Sequence, residues 1–270
     1  AVQSACNRAG LWDEARSLTW IIEGYLDLQG HWQERIALLQ AGLEAARSYG
    51  ARYDQASFLN QLGSAWAGHG DYDKATGHYD QALEIFRKIK NKLGEGVVLG
   101  NLGVAYKNLG EPRKAIEYYE QALAIDREIG DRRGEGANLG NLGVAYKDLG
   151  EPRKAIEYYE QALAIARKIG DRGNEGVWLG NLGIAYKDLG EPRQAIQFYE
   201  QQLVITREIG DRRGEGNALI NSSLALFELG KHSEAIEKAV DALQIYEQLE
   251  SPNAERVRRK LVEWQAGKET

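Results

Sequence analysis

Four asparagines stand at a fixed spacing of forty residues, and their side chains suit the recognition of a peptide main chain. They are Asn101, Asn141, Asn181 and Asn221. A carboxamide carries both donor and acceptor groups, which are the groups that an extended backbone needs from its partner. We therefore expect this column of asparagines to bind main chain. The alternative is structural: duplication copies every residue of a segment, and each asparagine then bonds only the neighbouring helix.

Other side chains share a helix face with the asparagines. Val97, Asn101, Val104 and Asn108 are separated by four, three and four residues, which places them on one side of a helix. The equivalent residues forty positions apart form an apolar column beside the asparagines and a polar, mostly acidic edge, with lysines along the border. The predicted partner-binding set is Asn101, Asn141, Asn181, Asn221, Val104, Val144, Ile184, Leu224, Asn108, Asp148, Asp188, Lys107, Lys147 and Lys187.

Glycines mark two different faces of the same helices. Gly100, Gly140 and Gly180 fall on the asparagine face, where a helical glycine would let a ligand come close. Gly140→Ala is then expected to be neutral or stabilising. Gly143, one turn later, is expected to touch the second helix of its own unit, so that Gly143→Leu would force the helices apart. Trp178 stands where Val98 and Asn138 stand in the preceding units, and core packing is its expected role.

The sequence gives no sign of catalysis. A GxxxxGK[ST] phosphate loop is absent, and the four histidines have no metal-ligand spacing with each other or with Cys6. The Gly-Glu-Gly elements, such as Gly94 to Gly96, open helices in successive repeats instead of following a single strand. We expect no enzymatic activity, no cofactor and no metal.

Composition narrows the class of protein further. The chain has 270 residues, a formal charge of −6 and one cysteine, so neither a disulfide framework nor a basic nucleic-acid surface is expected. No apolar run approaches the roughly 18 residues of a membrane helix. These features predict a cytoplasmic protein that binds neither nucleic acid nor membrane. The chain contains no methionine, from which we expect a fragment whose missing part lies upstream.

The elements that position these residues repeat with the same period. Residues 101–140 recur as 141–180 with seven differences. Within one unit, apolar residues at helical spacing are interrupted at Gly110 and resume after Pro112, which predicts two amphipathic helices per unit. A unit of this kind buries its apolar face only by stacking on its neighbours.

The spacing Leu102-Gly103, Tyr106, Ala115, Tyr119, Ala122 resembles the tetratricopeptide repeat in a forty-residue form. The resemblance implies an all-α, right-handed solenoid superhelix whose first helices line a concave, partner-binding face. It predicts one domain over residues 1–270, with six units at about 11–50, 51–90, 91–130, 131–170, 171–210 and 211–250, and a capping helix at about 253–266.

Two groups within that family are similar to this chain. The opening Gly10-Leu11-Trp12-Asp13-Glu14-Ala15 and the near-identical copies resemble the carboxy-terminal sensor array of bacterial STAND ATPases. The Asn-Leu-Gly-x-Ala-Tyr element is more distantly similar to the polarity G-protein-signalling modulators and kinesin light chain. The first resemblance implies a protein- or peptide-binding sensor module of a larger signalling ATPase. The alternatives are a freestanding adaptor that joins protein partners, or a helical domain attached to an enzyme such as a caspase-like protease.

The two ends of the array differ in their predicted cover. A polar helix closes the carboxy end, whereas Leu11, Trp12 and Leu18 at the amino end lack one. We expect the amino end to be either the less stable end or buried by self-association with a second copy.

Overall fold

The structure, a computed structural model, describes residues 12–28 and 30–266, and these residues are helical almost throughout. The helices of this part of the chain are α1 (Trp12–Leu28), α2 (Trp32–Ser48), α3 (Arg52–Gly68), α4 (Tyr72–Lys88), α5 (Lys92–Asn108), α6 (Pro112–Ile129), α7 (Arg132–Asp148), α8 (Pro152–Ile169), α9 (Arg172–Asp188), α10 (Pro192–Glu208), α11 (Arg212–Glu228), α12 (His232–Gln248) and α13 (Asn253–Ala266). The all-α expectation is confirmed, whereas Leu11 and the side chain of Trp12, both named at the amino end, lie outside the described residues.

The helix ends follow from glycine, proline and aspartate. A left-handed residue recurs every twenty positions from Gly30 to Glu250, and it is glycine everywhere except at Lys90 and Glu250. Glycine adopts this conformation without the steric cost of a Cβ atom, which is why it ends helices. Pro112 and its copies begin second helices. Asp211 caps α11, its Oδ1 atom accepting from the Gly214 N–H at 2.8 Å.

Contacts divide the chain into two compact units, residues 1–134 and 135–270. In each, helices pack in sequence order, as α3 packs on α4 and α9 on α10. First helices of successive repeats also contact each other directly, α3 with α5 and α9 with α11. The prediction of one domain over the whole chain stays a prediction.

In the four helix pairs from α3–α4 to α9–α10, a glycine of the first helix lies against a tyrosine ring of the second. A methyl group built on Gly143 would lie 2.5 Å from the Tyr159 ring, and one on Gly103 would lie 2.4 Å from Tyr119. Any side chain at these glycines therefore clashes with the ring. The predicted contact of Gly143 with the second helix of its own unit is confirmed.

The expectation for Gly140 is wrong. A methyl group built on Gly140 would lie 2.1 Å from the Trp178 ring, so this glycine faces a tryptophan of the next repeat and not an open groove. Trp178 is 6% exposed and stacks on Tyr159 at 6.2 Å between ring centroids, in agreement with its expected core role. The assignment from sequence failed because the residue at the Trp178 position differs between repeats, for example Ala218 in the following repeat. The repeat pattern therefore does not show that a tryptophan covers Gly140.

Buried carboxylates link successive repeats. In residues 135–270, Glu175 is buried in α9, and its Oε1 atom accepts from Arg167 Nε of α8 at 3.0 Å. Arg207 of α10 donates to Glu215 of α11 in the same way at 2.8 Å. In residues 1–134 Arg87 forms this bond at 2.9 Å with Glu95, which is half-buried. A buried carboxylate needs such a partner, so the bond fixes how one repeat meets the next.

The tyrosines of the glycine contact differ in how their hydroxyl groups are satisfied. Tyr79 OH lies 3.2 Å from Ser64 Oγ, whereas Tyr159 OH and Tyr199 OH are buried without a partner. The cause is in the sequence, because Val144 and Ile184 occupy the Ser64 position. Burial raises the pKa of Tyr159, and the Asp148 and Asp188 carboxylates raise it further.

Gly140→Ala is predicted to lower the free energy of unfolding by about 1–3 kcal/mol, because the methyl group meets the Trp178 ring. The measurement is urea unfolding of the single and double variants with Trp178→Val, the residue type found at Val98. The loss in the double variant should be smaller than the sum of the two single losses. Strict additivity would show that Gly140 and Trp178 do not share this space.

Tyr159→Phe is predicted to be neutral or stabilising by up to about 1 kcal/mol, since it removes a hydroxyl without a partner. Tyr79→Phe, the matched control, should cost about 0.5–1.5 kcal/mol because it breaks the bond to Ser64. Because the pKa of Tyr159 is raised in the folded protein, the unfolded chain loses this phenol proton first, and stability falls as the pH rises above about 10. Tyr159→Phe should therefore also lessen alkaline destabilisation. Equal losses at neutral pH for both variants would contradict this account.

Candidate functional site

The asparagine column lies on the first helices of the repeats. Asn141, Asn181 and Asn221 stand on α7, α9 and α11 of the second compact unit, and Asn101 stands on α5 of the first. All four are half-buried. The glycine of each glycine–tyrosine contact faces the second helix. The asparagine two residues before that glycine therefore lies on a different face of the first helix.

A cavity of about 350 Å³ opens between α9, α10 and α11 in residues 135–270. It brings together Asn181, Ile184 and Asn221, three members of the predicted partner-binding set. Its other lining residues are Gly173, Gly176, Val177, Gly180, Gln202, Thr206, Ile209, Asp211, Arg213, Gly214 and Asn217. We call this space the α9–α11 cavity.

Most of the amide groups around this cavity are open to a ligand. Among the described residues, Asn181 and Asn221 have no hydrogen-bond partner. Asn217 accepts a hydrogen bond from Tyr246 OH at 2.7 Å through Oδ1, which leaves its Nδ2 atom to donate. Val177 is 48% exposed and supplies apolar surface beside them. The cavity thus combines neutral polar groups with an apolar wall, as ligand sites commonly do.

Gln202 is a lining residue that the sequence analysis missed, and its side chain is buried. Its amide lies against Gly180, where a built methyl group would be 2.6 Å from Gln202 Nε2. The Gln202 Oε1 atom is buried and accepts no hydrogen bond. The sequence feature that could have indicated Gln202 is the replacement of a small residue by a longer polar one, since Ala122 and Ala162 occupy this position in other repeats.

Two opposite charges line the α9–α11 cavity. Asp211 is engaged as the cap of α11 through Oδ1. Arg213 is exposed, and no carboxylate pairs with it in the part of the chain that the structure describes. Glu215, one turn after Asp211 on α11, is buried and forms ion pairs with Arg207 and Arg212. The cavity is therefore lined mainly by uncharged groups, with one uncommitted guanidinium.

An equivalent cavity exists in residues 1–134. It also measures about 350 Å³ and lies between α3, α4 and α5, three repeats upstream of the α9–α11 cavity. Unlike the α9–α11 cavity it has aromatic side chains in its lining, Tyr53 and Phe86, and Tyr53, Leu93 and Val97 are each about half exposed or more. Here Asn101 Nδ2 donates to Asn60 Oδ1 at 2.9 Å, so this member of the column bonds the neighbouring first helix.

The remaining members of the predicted set are dispersed. Val104 is exposed, Val144 is half-buried, and Leu224 packs against the apolar cluster of the last repeats. Asn108 donates to its own helix at Val104 O. Lys107 is half-buried, Lys147 lies 3.4 Å from Asp148, and Lys187 lies 3.3 Å from Glu228, while Asp188 is exposed. Such exposed pairs contribute little to stability.

The described residues show neither a metal centre nor a membrane element. No three His, Cys, Asp or Glu side chains among them gather closely enough to hold a metal ion. No helix between residues 12 and 266, residue 29 aside, is both long and apolar enough to span a membrane.

Paired helices of 17 or 18 residues, packed in sequence order, define a helical-repeat array with an open first-helix face. Residues 54–128, 94–168, 134–203 and 175–248 match the tetratricopeptide repeat. These segments cover most of the chain, and the chain belongs to the tetratricopeptide repeat family. No curated protein matches it.

Several solved structures share this fold. A STAND protein with a tetratricopeptide repeat sensor from Pyrococcus horikoshii is similar over 95% of this chain at a TM-score of 0.82 and 21% identity, and the match covers 39% of that protein. BtubC from P. vanneervenii is similar over 81% of this chain and 92% of its own length, at a TM-score of 0.74 and 21% identity. A Rap protein complexed with Competence and Sporulation Factor is similar over 96% of this chain and 80% of its own length, at a TM-score of 0.67 and 16% identity.

Asn101 and Asn181 are predicted to respond differently to substitution by alanine. Asn101→Ala removes the bond to Asn60 and should lower the free energy of unfolding by about 0.5–1.5 kcal/mol. Asn181→Ala removes no hydrogen bond and should change it by no more than about 0.5 kcal/mol. Urea unfolding measures both. A loss at Asn181 as large as that at Asn101 would favour the structural role for the whole column.

Proposed function

We propose that this protein binds a peptide or an extended protein segment on its first-helix face. The observation that carries this proposal is the α9–α11 cavity, which unites Asn181, Ile184 and Asn221 around one open space. The two asparagines have no partner of their own among the described residues, so their donors and acceptors are available to a ligand main chain. Ile184 and Val177 provide apolar contact for its side chains.

The Rap protein structure supports the proposal in outline, since an array of this fold is seen there complexed with a named factor. Peptide recognition also suits a repeat array physically. Each repeat adds a similar surface at a regular interval, and an extended chain presents its own groups at regular intervals.

The finer proposal is that the array is the sensor module of a larger bacterial signalling ATPase. Its support is the similarity to the STAND sensor protein over 95% of this chain. A freestanding adaptor is the second candidate, favoured by the match that covers 92% of BtubC. Sequencing the complete gene distinguishes them: an encoded phosphate loop upstream supports the sensor, and a start codon adjacent to Ala1 contradicts it.

Peptide binding is tested with a random linear peptide library displayed on phage. Peptides that bind the unmodified chain are synthesised, and their dissociation constants are measured by fluorescence anisotropy. Replacing Asn141, Asn181 and Asn221 together by alanine should weaken binding by about one to three decades, at about 0.5–1.5 kcal/mol for each lost hydrogen bond.

The matched control changes exposed residues of second helices, Gln161→Ala together with Gln197→Ala. It should leave the affinity unchanged, and circular dichroism should show the same helical content for all variants. Unchanged affinity in the asparagine variant would remove the column from the binding site.

A further inference from the structure

We propose that the α9–α11 cavity is a side-chain pocket that selects a carboxamide, the side chain of glutamine or asparagine, from the bound peptide. This inference rests on the proposed function, because it names the chemistry that one part of the peptide-binding face would recognise. Gln202 is the residue that would read this group.

The first step is the state of Gln202 itself. It is 8% exposed, and its Oε1 atom is buried without a hydrogen-bond donor. A buried acceptor left in this state costs free energy that an apolar side chain of the same length would not cost. Packing alone therefore gives no reason for glutamine here, whereas a donor arriving with a ligand does.

The second step is how the repeat makes room for this side chain. In the preceding repeat the space over Gly140 is filled by Trp178. One repeat later Ala218 replaces the tryptophan, and Gln202 replaces the alanine seen at Ala122 and Ala162. The Gln202 amide then lies on Gly180, where it takes the place that Trp178 takes over Gly140, and Gln202 lines the cavity.

The third step is the chemistry of the group that fits. Gln202 Oε1 requires a donor, which excludes a carboxylate and an apolar side chain. A lysine or arginine would lie near the uncommitted guanidinium of Arg213, and Asp211 already caps α11. A carboxamide can donate to Gln202 Oε1 and accept from Gln202 Nε2 or Asn217 Nδ2 while remaining neutral.

The fourth step distinguishes a side chain from the peptide main chain. Asn181 and Asn221 are half-buried at the mouth of the cavity, whereas Gln202 is buried at its floor. A main chain that bonds the two asparagines remains at the mouth. The more deeply buried Gln202 amide is then left for a side chain of the bound peptide.

The experiment compares selections from the random peptide library by the unmodified chain and by Gln202→Met, which keeps the length of the side chain but loses its amide. Peptides selected by the unmodified chain should share one position occupied by glutamine or asparagine. Replacing that residue by leucine should weaken binding to the unmodified chain by about 3- to 10-fold, the worth of one hydrogen bond, and binding to Gln202→Met by less than about 2-fold. Urea unfolding should show Gln202→Met to be as stable as the unmodified chain or more so.

Thr206→Val is the matched control, because Thr206 lines the same cavity and its hydroxyl already donates to Leu203 O at 3.2 Å. It should preserve the carboxamide preference. The proposal is overturned if Gln202→Met selects the same carboxamide position. It is also overturned if the affinity difference between the unmodified chain and Gln202→Met is abolished by methylating a main-chain nitrogen of the peptide and not by replacing the carboxamide side chain. If the asparagine variant loses affinity but Gln202→Met keeps the preference, only this inference fails. If the unmodified chain captures no peptide, both it and the proposed function fail.

Discussion

The contact between a glycine of the first helix and a tyrosine ring of the second is the constraint on which the repeats depend. It recurs as Gly63 with Tyr79, Gly103 with Tyr119, Gly143 with Tyr159 and Gly183 with Tyr199. The tyrosine ring occupies the space that a side chain at the glycine would need. The helices therefore approach closely, and each tyrosine is almost fully buried. The contact also fixes the rotation of the first helix about its axis, and thereby the face that remains for a ligand.

The open face is not the same from repeat to repeat, because different residues fill the space beside the helical glycines. Trp178 fills it over Gly140, and Gln202 lies over Gly180. In residues 1–134 Asn60 stands at the corresponding position of α3 and bonds Asn101. Repeats of nearly identical sequence therefore present chemically distinct surfaces. A few substitutions among the residues next to the helical glycines are enough to make one repeat bind differently from the next.

The sequence predicted the helices well because its local signals agree: left-handed glycines, proline at helix starts, aspartate caps and apolar periodicity all mark the same boundaries. It also placed Asn181 and Ile184 on one face of α9, which helical spacing decides, and Asn221 at the equivalent position of α11, which the forty-residue repeat decides. It could not predict that Trp178 reaches back over Gly140, because this contact joins different repeats. The same limit applies to Gln202, whose unpartnered oxygen depends on which neighbour is small.

The central claim is that the surface left free by the glycine–tyrosine contact is the ligand-binding face. It is tested most directly by the amide chemical shifts of the isotope-labelled protein, recorded with and without a peptide selected from the random library. The account predicts that the largest changes fall on α9 and α11 around Asn181 and Asn221, with small changes at exposed second-helix residues such as Glu157 and Gln197. The largest changes at those second-helix residues would contradict it.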